Sequence, residues 1–324
     1  MLSVHGIEEC LRASTTGKMV RTFMTYSPLD IQSLPARPTD LGSLRILRAL
    51  PRRQRRMVGP WCFLDRYGPV SFTSDKPMDV AAHPHIGLQT VSWLLEGEII
   101  HHDSLGCEAL IRPGQLNLMT AGRGIAHSEE TPKTNSGMLN GVQLWVALPG
   151  GQRDIPPAFD HYSSLPVLEF PGGTITLIAG NILKHSSPAK TFTAIIGAEI
   201  ALRAEEPIMV PLQPEFEHAL FVLHGDVLLE GRPIDGGTLH YLGINRDELH
   251  LTGTDNSRVL MIGGEPFTEN IVMWWNFVAR TQGEIAQARE DWVHHRRFGE
   301  VQAYRGSRLS APDLKKIAPA NPAS

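Results

Sequence analysis

Between Asp79 and Leu148 apolar and polar residues alternate in short runs that glycine and proline interrupt. Strands read this way, because successive side chains leave a strand on opposite faces. Residues 91–95 form one strand, Glu96-Gly97-Glu98 a hairpin turn, and residues 99–102 the returning strand. Ser104-Leu105-Gly106, Arg112-Pro113-Gly114 and Gly122-Arg123-Gly124 each predict a bend, with proline fixing φ and glycine supplying a positive one. Residues 116–120 and 142–146 are further strands, and residues 61–65 precede them. After a linker over residues 151–157 the pattern resumes at 175–179, 193–196, 199–202, 208–210, 218–223, 227–229 and 259–262. So many short strands at close spacing predict an all-β sandwich or barrel.

Residues 218–226 read as a second copy of residues 89–98, so the chain looks duplicated. The first half carries His-x-His ahead of this segment and the second does not, which predicts one metal-binding half and one without a metal site. A helix closes the chain: Thr281-Gln282-Gly283-Glu284 fits a capping box, and Ile285, Ala288 and Trp292 recur at helical spacing. Residues 1–40 show no sustained period and are broken by Pro28, Pro35 and Pro38, predicting an irregular extension or extended arm. The expected division is therefore extension 1–40, metal-binding barrel 41–150, linker 151–157, second barrel 158–270, a strand and helix at 271–300, and a tail at 301–324 that frays from Ser310.

Composition narrows the class. With 324 residues and 42% hydrophobic content the chain can bury a sizeable core, while 30 Gly and 24 Pro agree with many turns. A net charge of -4 gives no electrostatic case for nucleic-acid binding, and no apolar run approaches a membrane span. Arg52, Arg53, Arg55 and Arg56 form a basic cluster, read as a solvated loop in preference to a nucleic-acid patch. Cys10, Cys62 and Cys107 are too few and scattered for a disulfide framework or thiolate site, which predicts reduced thiols. Residues 11–23 carry Arg12, Lys18 and Arg21, but Glu8 and Glu9 argue against a transit peptide, and a cytoplasmic protein is expected.

The candidate chemistry lies in Ala82-His83-Pro84-His85-Ile86-Gly87 and Gly124-Ile125-Ala126-His127-Ser128-Glu129. Residues two apart on a strand share a face about 7 Å apart, so His83 pairs with His85, and His127 with Glu129. Three imidazoles and a carboxylate suit one first-row divalent metal and leave coordination positions open for water or substrate.

The chain resembles the pirin family of bicupins from about Arg53 to about Phe298. The resemblance rests on His83-Pro84-His85-Ile86-Gly87, Leu95-Glu96-Gly97, His101 with Asp103-Ser104-Leu105-Gly106, Pro113-Gly114, residues 119–125 with His127 and Glu129, Gly263-Gly264-Glu265-Pro266, and Met273-Trp274-Trp275-Asn276-Phe277-Val278. It implies an all-β bicupin, two facing double-stranded β-helix (jelly-roll) barrels with a short C-terminal helix, the C-terminal stretch packing on the first barrel. The family's metal ligands carry over to His83, His85, His127 and Glu129. Fe(II) is the implied metal, with Cu, Ni, Mn, Co or Zn as alternatives. General cupins often place a glutamate ligand four residues after the second histidine, where this chain has Gln89.

Two functions are compatible with that resemblance. One is a quercetin 2,3-dioxygenase-like enzyme using O2 on a flavonol-type aromatic substrate, with Glu129 both a ligand and a general base. Gln143 and Trp145, two apart on a strand, would line its pocket mouth, though they also read as ordinary barrel interior. The other is a non-catalytic metal or redox-state sensor that regulates a protein partner.

Overall fold

A computed structural model of the chain describes residues 30–41, 44–72, 78–204 and 206–314. The leader with Glu8, Glu9, Cys10, Arg12, Lys18 and Arg21, and residues 315–324 of the tail, lie outside the described residues. The fold is antiparallel β apart from one helix, in two cupin units.

β1 (Gln32–Pro35) precedes the first unit, which runs through β2 (Arg37–Leu41), β3 (Leu44–Leu50), β4 (Trp61–Ser71), β5 (Asp79–His85), β6 (Leu88–Glu96), β7 (Ile99–Asp103), β8 (Glu108–Ile111), β9 (Leu116–Thr120), β10 (Ile125–Glu130), β11 (Met138–Ala147) and β12 (Ala158–Tyr162). Its larger sheet has the order β12-β9-β6-β11-β4-β3-β2 and its smaller one β5-β10-β7-β8. The second unit comprises β13 (Val167–Phe170), β14 (Gly173–Ile182), β15 (His185–Ser186), β16 (Ile195–Leu202), β17 (Ile208–Pro211), β18 (Glu217–His224), β19 (Val227–Leu229), β20 (Arg232–Ile234), β21 (Thr238–Gly243), β22 (Glu248–Gly253) and β23 (Arg258–Gly264). Its larger sheet has the order β1-β21-β18-β23-β16-β14-β13, and its smaller one β17-β22-β19-β20. In sheet position β18 between β21 and β23 matches β6 between β9 and β11, the duplication expected from the sequence.

Period-2 patterning decides where each central strand sends its side chains. Val91, Trp93 and Leu95 of β6, with Val142, Leu144 and Val146 of β11, face the second unit and meet Ala219, Phe221, Leu260 and Ile262 there. The intervening positions, including Ser92, Gln143 and Trp145, are left to face the interior of the first unit. Both faces of β6 are therefore covered, and its first eight residues are buried. Trp61 seals the interface by donating its indole N–H to the carbonyls of Ile196 and Gly263, each at 3.0 Å.

The stretch up to residue 40 is not irregular throughout. β1 pairs with β21 of the second unit, whereas β2 pairs with β3 of the first, so a few residues tie both units together. The pairing escapes a periodicity search because Pro35 and Pro38 interrupt it, and proline is tolerated in strands at the edge of a sheet. The basic loop is also only partly solvated. Arg55 lies over the ring of Tyr241 at 3.6 Å and pairs with Glu217 at 3.4 Å, again joining the two units.

β24 (Val272–Trp274), β25 (Phe277–Ala279) and α1 (Gln282–Val293) return to the first unit. Thr281 caps α1 in the expected capping box, and Ile285, Ala288 and Trp292 are buried against Ala82 and Ala126 on the back of β5 and β10. Among the described residues no helix is long and apolar enough to cross a membrane.

Candidate metal centre

β5 and β10 lie side by side with His127 opposite His83 and Ile125 opposite His85. Since Ala82 and Ala126 turn toward α1, alternation sends His83, His85 and His127 the other way. Their ring centroids are 4.4–4.9 Å apart, and one nitrogen from each lies within 4.8 Å of the others. All three are buried.

Hydrogen bonding selects the tautomers. His83 Nδ1 is 2.8 Å from the Ala81 carbonyl oxygen and His85 Nδ1 is 3.1 Å from that of Asn276. A carbonyl only accepts, so Nδ1 holds the proton in both rings and Nε2 keeps its lone pair. His85 Nε2 and His127 Nε2 are buried with no hydrogen-bond partner, a costly arrangement for polar atoms that a metal would relieve. Burial pushes His83 down to about 4 and holds His85 and His127 well below the usual histidine range, so at neutral pH the rings are neutral donors.

Glu129 reaches the same region from β10, on the same strand face as His127, while the register against β5 shifts so that Ala81 and Ala82 together stand opposite Ser128. Its carboxylate groups within 4.8 Å with His127 and His101. Burial raises its pKa, opposed by His101 and by the Ser92 hydroxyl 3.0 Å from Oε1. Ser92 Oγ is also 2.9 Å from the side-chain amide of Gln143. A hydroxyl has one proton, so if Ser92 donates to Glu129 the Gln143 amide must turn its N–H toward Ser92.

Sequence reading did not assign a role to His101. β7 pairs with β10, placing His101 opposite Glu129 and Asp103 opposite His127. His101 Nε2 is 3.2 Å from Asp103 Oδ2, its Nδ1 is 3.3 Å from His127 Nδ1, and its ring stacks on Phe159 at 4.2 Å. Asp103 is fixed by the backbone N–H groups of Leu105 and Cys107 at 2.8 and 3.0 Å. With the proton of His101 directed to Asp103, its Nδ1 accepts from His127 Nδ1–H, and His127 Nε2 is bare. The His-x-Asp spacing on a strand was visible, but its use depends on cross-strand register.

The histidines open onto a cavity of about 390 Å³, also lined by Gln143, Trp145, Phe63, Tyr67 and Trp275. Trp145 stacks on Phe63 at 3.9 Å with the rings 11° apart, and its edge approaches His85 at 5.2 Å. Arg48 braces the outer face of Phe63 at 4.7 Å while its guanidinium forms two hydrogen bonds to Asp65 at 2.8 and 2.7 Å. This makes a rigid aromatic wall beside the imidazoles. Cys62 lies next to Phe63 in the same strand, is a buried free thiol, and burial pushes its pKa up to about 12, so it supplies no thiolate here. Cys107 is also a free thiol.

Comparison with known proteins agrees with the fold. A Pseudomonas aeruginosa protein that carries the name quercetin 2,3-dioxygenase only provisionally is 44% identical over 286 residues, covering 88% of this chain and 90% of that one. The crystal structure of a quercetin 2,3-dioxygenase from Acinetobacter baumannii superposes with a TM-score of 0.87 at 44% identity, covering 90% of this chain and 98% of that one. A bacterial pirin from Escherichia coli in complex with nickel(II) matches with a TM-score of 0.59, covering 73% of this chain and all of that one, and at 18% identity it speaks to the fold alone. Residues 43–146 match the Pirin family and residues 197–299 the Pirin C-terminal cupin domain, so the chain belongs to the pirin family.

Proposed function

We propose that this chain is a metal-dependent dioxygenase of planar, hydroxylated aromatic compounds of the flavonol type. The observation that carries the reading is the pair of buried, unpartnered Nε2 atoms of His85 and His127, set with His83 at the floor of an aromatic cavity. His83, His85, His127 and Glu129 would hold one divalent transition metal, Fe(II) by family likeness or another of the first row. Such an ion supplies open coordination positions and redox access to O2.

The protein's own groups account for binding and proton handling. A flat ring system entering the cavity lies against the wall formed by Trp145 and Phe63, which Arg48 and Asp65 hold in place. The cavity volume falls in the range that holds a drug-sized ligand, ~300–1,000 Å³. Glu129, raised by burial, accepts the proton of the substrate hydroxyl, and the hydrogen bonds of Ser92 to Glu129 and Gln143 orient its carboxylate. Asp103 and His101 hold His127 in the tautomer that leaves Nε2 free. A cavity that opens directly on the imidazoles favours small-molecule turnover over the sensor reading.

The test is O2 uptake with quercetin by protein loaded with iron, nickel, copper, manganese or cobalt, beside metal-free protein and Glu129→Ala. Metal-dependent uptake that collapses in the variant supports the reading. No uptake from any fully loaded form contradicts it and transfers the weight to the sensor.

A further inference from the structure

We infer that Leu309, carried by a C-terminal strap outside both family domains, is a specificity-determining residue that forms one wall of the substrate cavity. The inference rests on the dioxygenase reading for its substrate class, but its geometry stands apart from that reading. The family match ends at residue 299, yet the chain turns back and Leu309 lines the same cavity as His83, His85 and Trp145.

The placement is fixed from several sides. β5 is the free edge of its sheet, and the Leu309 N–H donates to the Ala82 carbonyl at 2.9 Å, one residue before His83. Covering an edge strand in this way satisfies a backbone group that would otherwise seek another chain. The Leu309 carbonyl accepts the indole N–H of Trp292 at 2.8 Å. On one side of Leu309 the Tyr304 hydroxyl donates to Asp79 at 3.0 Å, and on the other Arg289 donates to the Pro312 carbonyl at 2.7 Å. Arg308 lies over the Trp292 ring at 4.2 Å. The tail expected to fray from Ser310 is therefore held through Pro312, because α1 presents an indole and a guanidinium to its carbonyls.

Leu309 is 37% exposed, so it stands at the cavity rim and its replacement leaves the core intact. Lining the cavity beside Trp275 and Asn276, it acts with them to limit the width available to the substituents of a bound ring system.

The experiment compares wild type, Leu309→Ala and Leu309→Trp in the full chain, with metal content and thermal midpoint measured for each. One arm measures kcat/KM for quercetin and for a quercetin carrying a bulky substituent on its catechol ring. The other measures the rate at which EDTA strips nickel from the loaded protein. Leu309→Ala is expected to shift the ratio of kcat/KM values toward the bulky compound by roughly tenfold, as loss of several carbons from a pocket wall does. It should also speed nickel removal several-fold, and Leu309→Trp should reverse both effects. Unchanged EDTA rates and an unchanged substrate ratio overturn the inference. If wild type fails to turn over quercetin at all, the dioxygenase reading fails and the EDTA arm alone decides the role of Leu309.

Discussion

Replacing His101 by phenylalanine separates the support of the metal centre from the centre itself. The imidazole makes three contacts: the stack on Phe159 at 4.2 Å, the hydrogen bond to Asp103 at 3.2 Å and the approach to His127 Nδ1 at 3.3 Å. A phenyl ring keeps the first and removes the other two. Asp103 retains the N–H groups of Leu105 and Cys107, so the variant should fold with a loss of about 1–2 kcal/mol. His127, in contrast, loses the acceptor that fixes its tautomer. Removing such an outer partner of a ligating histidine costs ~10–100-fold in metal affinity, or about 1.4–2.7 kcal/mol. Nickel affinity measured by chelator competition, with chemical denaturation alongside, reads both effects. Affinity within threefold of wild type would refute the tautomer argument. Loss of stoichiometric binding would refute it differently, by placing His101 in the coordination set with Glu129 and His127.

Other perturbations test the frame around the site. Gly87 sits at φ +67°, and a Cβ there would lie 2.1 Å from the Val278 carbonyl oxygen, so Gly87→Ala should cost about 2 kcal/mol or more in urea denaturation. Trp61→Phe strands the Ile196 and Gly263 carbonyls at the interface between units and should cost about 1–3 kcal/mol in the same assay. Glu284 is drawn down to about 2, chiefly by its hydrogen bond with Arg153 and further by the N–H groups of Arg280 and Thr281. Its folded pKa lies below its unfolded value, so its stabilisation is full above about pH 4.5 and disappears as pH falls through about 2. Stability curves of wild type and Glu284→Gln should therefore converge across that window, and parallel curves would contradict the assignment.

The strand-rich fold and the paired donors were legible because period-2 alternation is local. His83 and His85 share a face by counting, and the same count brought His127 and Glu129 into consideration. The register shift of β5 against β10 just before His83 was not legible, since it depends on how the two strands pair. His101 was visible as a motif residue without a role for the same reason: its partners lie on β10, in register set by the sheet. Gln143 and Trp145 could be placed on one strand face, but which face met the cavity depended on the second unit covering Val142 and Leu144. The crossing of residues 32–41 between the units and the return of Leu309 to β5 left no periodic trace. Both are held by a few specific hydrogen bonds across long sequence separations, and such bonds impose no pattern on neighbouring residues.

The claim at the centre of this account is that one divalent metal sits among β5 and β10 and faces the aromatic cavity. An anomalous-diffraction crystal structure of the nickel-loaded protein tests it most directly. The account predicts one fully occupied site bonded to Nε2 of His83, His85 and His127 and to a Glu129 carboxylate oxygen, at ~2.0–2.2 Å, with His101 outside the bonding distance. A metal bound through His101, or absent from the three-histidine cluster at full loading, would contradict it.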